Sequence, residues 1–106
     1  MTRRIVIRPM ASFDIDEQFA YIATNNFDAA LRFFDAARQT FSQLAQMPAI
    51  GSLYSIENPR LVGLRKWAVS GFDKHLIFYV ERDEYIEIVR LLHAARDLPE
   101  ILGEEE

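Results

Sequence analysis

Apolar positions along this chain follow two different periods. Up to about residue 47 they recur at spacings of three and four, the period of an amphipathic helix. From Leu64 they run as short blocks rich in β-branched and aromatic residues, the mark of strands. The pattern opens with a short strand, Ile5-Val6-Ile7, between Arg4 and Arg8 and closed by Pro9. Ser12 is placed to cap a helix, with Asp14, Asp16 and Glu17 in its first turns, where the helix dipole favours acids. Its stripe is Ile15, Phe19 and Ile22, with Ala11 and Ala23 alongside, and it ends around Asn25-Asn26. Asn26 or Asp28 then caps a second helix whose stripe is Ala30, Phe33, Phe34, Ala37, Phe41 and Leu44. Met47-Pro48 and Gly51 stop it. So short a connection favours an antiparallel helical hairpin, and the phenylalanines at helical spacing read as core rather than as a cofactor site.

Pro48, Gly51, Pro59 and Gly63 mark residues 48–63 as a loop, or a loop with a turn, and not as a linker between domains. Leu64–Val69, Lys74–Glu81 and Tyr85–Leu92 then read as three strands joined by turns at Ser70–Asp73 and Arg82–Glu84, an antiparallel meander. The first strand must join the same sheet, because alone it would leave its backbone groups unpaired. The predicted fold is a single α+β domain over residues 1–106: two layers in the order β-α-α-β-β-β, a helical hairpin covering one face of a mainly antiparallel sheet. Residues 99–106, ending in Glu104-Glu105-Glu106, are expected to form a mobile acidic tail.

Composition narrows the class. Apolar residues make up 50% of the 106 and aromatics 12%, enough for a sizeable core. No apolar run reaches the length of a membrane span, the N-terminus lacks the apolar stretch of a signal peptide, and there is no Cys, so a cytoplasmic protein without disulfide or thiolate chemistry is expected. The net charge of −4 is unevenly spread: residues 1–11 carry +3, 12–59 carry −4, 60–96 carry +2 and 97–106 carry −5. The one basic segment in the second half is modest, which argues against sequence-specific nucleic-acid binding as the main task.

The segment Glu87–Leu98, E-I-V-R-L-L-H-A-A-R-D-L, combines a strand-like apolar run with Arg90, His93 and Arg96. Arg is almost never fully buried unless paired, so this strand should be central and should also present polar groups. The segment closely resembles the ending of the ParE-type toxins, a branch of the RelE/ParE superfamily of bacterial toxin–antitoxin systems. Other matching stretches are Pro9-Met-Ala11 with Asp14-Ile15 and Tyr21-Ile22-Ala23, and Asn26-Phe-Asp-Ala29-Ala30 with Arg32-Phe33. Phe27 stands where the family commonly has proline. Leu44-Ala45 with Pro48 and Gly51, Gly63-Leu-Arg65 and His75-Leu-Ile-Phe-Tyr79 complete a resemblance that runs from about residue 5 to 102. It implies a toxin, of a kind linked to plasmid stabilisation, neutralised by a small ribbon-helix-helix ParD-like antitoxin whose C-terminal segment wraps it. ParE-type members poison DNA gyrase; RelE-type members cleave messenger RNA on the ribosome.

The residues bear on that choice. Metal-free RNA cleavage needs a base for the 2′-hydroxyl, cations at the phosphate and an acid for the leaving oxygen. Arg65, Lys66, Lys74 and Arg90 are candidate cations and His93 the best acid or base, with His75 and Tyr79 behind it. Against this, Ala94 stands where some RNase members carry a terminal tyrosine, and the acidic tail would repel phosphate. The favoured reading is therefore non-catalytic, with Arg65, Trp67, Arg90, His93 and Arg96 as the partner-binding set. An RNase using Arg65, Arg90 and His93 is the alternative, and a non-toxic homologue serving as a binding module the third. Each residue also has a structural reading: Trp67 as core, His93 hydrogen-bonded at a strand end, Arg65 and Arg90 in ion pairs with Glu87 or neighbouring acids. Neither a phosphate-binding glycine loop nor a convincing metal-ligand pattern is present, so no cofactor and no metal are expected.

Overall fold

The computed structural model describes residues 2–106. Strand β1 (Arg4–Ile7) leads into helices α1 (Pro9–Ala23) and α2 (Phe27–Gln46). Strands β2 (Ser52–Leu53), β3 (Arg65–Val69), β4 (Phe72–Glu81) and β5 (Tyr85–His93) and a short helix α3 (Leu98–Gly103) follow, with a single 3₁₀ turn at Pro59–Leu61. The strands form one sheet in the order β1-β5-β4-β3-β2. All pairings are antiparallel except β1 with β5, which runs parallel with Ile7 beside Ile88. The α+β hairpin-on-sheet fold is thus present, with β2 as a fifth strand inside the stretch expected to be loop.

The helix starts show which local signals decided. α1 begins at Pro9, three residues before the expected cap at Ser12, and the Arg8 side chain makes no capping bond. Proline suits the first helical turn, where its missing N–H has no partner to lose. Arg8 N–H bonds the Ile88 carbonyl at 3.0 Å, so the chain passes from strand directly into helix. Asp14 therefore lies beyond the first turn and is no dipole-complementing acid: it is buried. α2 is capped by Asn26, whose Oδ1 accepts the Ala29 N–H at 3.0 Å. Its stripe Ala30, Phe33, Ala37, Phe41 and Leu44 is buried as expected, whereas Phe34 lies at its border, 36% exposed.

Two cores flank the sheet. One joins the helical hairpin to Ile77, Tyr79, Ile86, Ile88 and Leu91. The other lies on the opposite face, where Phe78, Val80, Val89 and Leu92 meet Leu61, Leu64 and Leu102. In place of a mobile tail the chain here forms α3, and Leu102 is fully buried. Asn58, itself buried, donates through Nδ2 to the carbonyls of Leu102 (2.9 Å) and Glu105 (2.8 Å), satisfying the end of that helix.

β1 ends at Ile7, so beyond Ile88 one edge of β5 has no strand beside it. α1 fills that place with side chains. Asp14 Oδ2 accepts the Leu91 N–H at 3.1 Å, and Gln18, one turn on, donates to the Leu91 carbonyl at 2.6 Å. Here β5 carries a bulge: Tyr79 faces Ile88 and Phe78 faces Arg90, leaving Val89 as the extra residue. Arg90 binds Asp14 through two hydrogen bonds, Nε to Oδ2 at 2.7 Å and Nη2 to Oδ1 at 2.9 Å, and reaches Glu105 at 3.4 Å. The Asp14 hydrogen bond raises the Arg90 pKa and keeps the guanidinium charged despite burial.

Breaking a buried pair of this kind strands a charge. Asp14→Ala should cost about 3–5 kcal/mol in urea denaturation. Asp14→Ala with Arg90→Met should recover part of that and leave a deficit of about 1–3 kcal/mol, because the Leu91 N–H remains without an acceptor. A single-variant loss under about 1 kcal/mol, the range of exposed ion pairs, would contradict this account.

Candidate functional site

α1, β4 and the end of β5 enclose a cleft of about 500 Å³, lined among others by Glu17, Gln18, Tyr21, His75, His93 and Arg96. Cross-strand pairing sets its floor: His75 and His93 are register partners, their rings edge to face at 5.2 Å. The Phe33 ring lies 4.9 Å from His75 on the core side. The hydrogen bonds decide the tautomers. Gln18 gives its Nε2 to the Leu91 carbonyl, so its Oε1 faces His75 Nδ1, 2.5 Å away, and must accept. His75 therefore carries its proton on Nδ1 and leaves Nε2 as a lone pair. His93 is the reverse: its Nδ1 accepts the Ala95 N–H at 3.0 Å, so its proton sits on Nε2. Burial, and then the charge His93 would carry, push the His75 pKa below the ordinary histidine value. The cleft floor thus offers one donor nitrogen, the His93 Nε2–H, and one acceptor, the His75 Nε2.

The five candidate residues do not form one cluster. His93 and Arg96 share the cleft. Arg90 stands behind it, 8% exposed and held by Asp14. Arg65 sits further along the sheet, opposite Tyr79, where its Nη1 donates to the Gly51 carbonyl at 2.6 Å. The same corner holds the Tyr79 hydroxyl, which donates to the Pro48 carbonyl at 2.7 Å and accepts the Gly51 N–H at 2.9 Å. Trp67 is half-buried and packs against the core beneath the helices. Glu87, the expected partner of Arg65 or Arg90, instead pairs with Arg8 at 2.8 Å and Arg82 at 2.9 Å. Burial raises the Glu87 pKa, but the hydrogen bonds and charges of those two arginines outweigh it and the net shift is downward.

Gln18 and Tyr21 were not among the candidates, although both line the cleft with His75. Asp14, Gln18 and Tyr21 recur at i, i+4 and i+7, which puts three polar groups on one helix face. That spacing was the available signal; what the face meets is a long-range contact that spacing does not report. Three of the four candidate sheet cations are held by other groups, and Lys74, exposed on β4, makes no ion pair among the described residues. Arg65 and Arg90 are engaged as described, and Lys66 lies over the Tyr54 ring, 5.5 Å from its centroid. Among the described residues no group of three His, Asp or Glu side chains is placed to hold a metal, and no helix is long and apolar enough to cross a membrane.

The family model described as the ParE toxin of type II toxin–antitoxin system, parDE, matches residues 5–98, from β1 to the start of α3. Among solved structures the chain is similar to a protein of the chromosomal ParDE TA system from P. aeruginosa, with a TM-score of 0.70 and 16% identity over 87% of this chain and 96% of that one. At that identity the likeness concerns the fold. No curated protein matches the chain.

Two outcomes follow from the site's geometry. A Cβ at Gly51 would lie 2.5 Å from the Tyr79 hydroxyl and 2.8 Å from the Lys66 carbonyl. Gly51→Ala should therefore lower stability by roughly 1–3 kcal/mol, and Gly51→Ala/Tyr79→Phe by less than the two single changes together; strict additivity in denaturation would rule out the clash. His75 has a folded pKa below its unfolded value of about 6.5. The unfolded chain thus takes up the proton first as pH falls, and stability should rise with pH up to about 6.5 and then level off. Melting curves of His75→Phe should lack that component.

Proposed function

This chain belongs to the ParE toxin family of type II toxin–antitoxin systems, and from that premise we propose that it inhibits DNA gyrase by binding it and is held inactive by a cognate ribbon-helix-helix ParD-like antitoxin. It acts in the bacterial cytoplasm and needs no cofactor. The observation that carries the non-catalytic reading is the fate of the cations. Of the four candidate cations, Arg65, Lys66 and Arg90 are engaged with backbone carbonyls, an aromatic ring and carboxylates, and Lys74 alone is exposed without such a partner among the described residues. What remains at the cleft is Arg96 with His93, rimmed by Tyr21, an arginine-and-tyrosine surface of the composition found in protein–protein hot spots. The working surface is accordingly narrower than the full set expected from sequence.

The antitoxin has a separate surface. β1 is an edge strand, with Ile5, Val6 and Ile7 each 37–39% exposed. Beside it runs a groove of about 420 Å³ whose apolar lining includes Ile7, Ile15, Phe34 and Phe41. An extended antitoxin segment adding to β1 with apolar side chains in this groove would satisfy both the open edge and the exposed apolar positions.

Purified protein should abolish supercoiling by gyrase and leave ribosome-bound messenger RNA intact, and the antitoxin should restore supercoiling. Messenger RNA cleavage that disappears in His93→Ala, with supercoiling untouched, would overturn this reading in favour of the ribonuclease. Inertness in both assays, with antitoxin still bound, would identify a binding module without toxicity.

A further inference from the structure

We infer that the cleft between α1 and the ends of β4 and β5 is a recognition pocket for one carboxylate side chain carried on an apolar segment of the protein target, with Arg96 and the Nε2–H of His93 as donors and Tyr21 and Ile22 as its apolar wall. The partner is taken from the gyrase-directed reading above; the chemistry comes from the cleft alone. Arg3, Arg8, Arg82 and Arg90 each hold a carboxylate. Arg96 is exposed and makes no ion pair among the described residues, so its guanidinium is open to an incoming anion. His93 adds a second donor because the Ala95 N–H occupies its Nδ1. Tyr21 is 76% exposed on the rim, a large apolar body that loses little conformational entropy on contact.

The acids of the wall set the class of anion. Asp14 and Glu17 line the same cleft from α1. Asp14 is neutralised by Arg90, but Glu17 makes no ion pair among the described residues and repels further negative charge. A single carboxylate beside apolar residues meets this balance; a nucleic-acid backbone, with a charge on every phosphate, does not. Binding should also be linked to protons. The charged and titratable groups lining the cleft are Asp14, Glu17 and Tyr21 from α1, His75 from β4, and His93 and Arg96 at and after the end of β5, while α2 brings the Phe33 ring against His75. Without a ligand His75 is neutral near pH 7, its Nε2 lone pair open. A carboxylate seated beside it favours the imidazolium, so proton uptake accompanies binding and affinity rises as pH falls.

The test uses the whole protein and a defined probe. The blocked tripeptide acetyl-Leu-Glu-Leu-amide is titrated while the Arg96 side-chain N–H and the His93 ring are followed by NMR, with the glutamine analogue and a short oligouridylate as controls. Saturable shifts are expected with the glutamate peptide alone, tighter at pH 6 than at pH 8. They should be lost in Arg96→Gln, whose exposed position leaves the melting temperature unchanged, and partly kept in Arg96→Lys. Equal shifts with the glutamine peptide, stronger shifts with the oligouridylate, or none at all overturn the pocket, whatever gyrase does. Gyrase binding is then measured for wild type and Arg96→Gln, with about a tenfold weakening expected, the effect of losing one hot-spot contact. If the peptide binds as expected but gyrase binds neither protein, the pocket stands and the target reading fails. If gyrase binds both equally, the pocket has no part in target recognition and the inference is overturned.

Discussion

The carboxylate of Asp14 binds the Arg90 guanidinium through both oxygens and, with one of them, also accepts the Leu91 N–H, at a point where the sheet has run out of strands. A buried ion pair is weak evidence of net stabilisation, because removing both charges from water costs nearly what their attraction returns. Its effect here is positional. α1 can satisfy the open edge of β5 only in the register that sets Asp14 at Leu91 N and Gln18 at Leu91 O. That register then fixes everything one and two turns further on: Gln18 meets His75, and Tyr21 comes to the mouth of the cleft. The cleft is thus a consequence of how an unpaired strand edge was closed.

The same residue shows the limit of reading locally. Asp14 stands two residues after a serine and just before Ile15, which is what an acid in a capped first turn looks like. The pattern is satisfied equally by a helix that starts at Pro9, where proline suits the first turn, and the Arg8-to-Ile88 bond, between residues eighty apart in sequence, holds the chain to that start. Where one period extends over many residues the sequence was legible. The α2 stripe and the β3-β4-β5 meander stand where hydrophobic spacing puts them. The candidate site was legible only in part. Arg90, His93 and Arg96 lie close in sequence, yet the bulge at Val89 sets Arg90 opposite Phe78, on the face of the second core, from which its guanidinium reaches Asp14 and Glu105, and puts His93 beside His75 on the helix face, in the cleft with Arg96. Arg65 and Trp67 looked functional by residue type, and the long-range contacts that occupy them leave no trace in their neighbours.

α3 was illegible for a different reason. Leu98, Ile101 and Leu102 are three apolar residues in a run otherwise dominated by acids, too few to give a period. Their burial depends on a surface built elsewhere, from Phe78, Val80, Val89, Leu92 and the 54–64 segment, which itself read as loop. Asn58 makes that dependence specific, because a buried amide must find partners and finds them in the carbonyls of Leu102, in the last turn of α3, and of Glu105 just past it. The helix lies almost wholly beyond residues 5–98 of the family match, yet Glu105, just past it, reaches Arg90. The one guanidinium therefore ties α1 on one face of the sheet to the C-terminal segment on the other.

These connections bear on chemistry as well as on fold. General acid–base cleavage of RNA asks for cations that are free to move onto a phosphate as charge develops. In this chain Arg90 could do so only by leaving Asp14 buried and uncompensated, and Arg65 only by releasing the Gly51 carbonyl at the corner where Tyr79 is clamped. Each move would cost stability at the moment the catalytic step needs stabilisation. The histidines point the same way. Each ring is fixed by a hydrogen bond at Nδ1, His75 to Gln18 and His93 to the Ala95 N–H, which leaves both Nε2 atoms turned from those bonds. With Arg65 and Arg90 held in this way, Arg96 is the guanidinium left open at the cleft, and it stands there with His93.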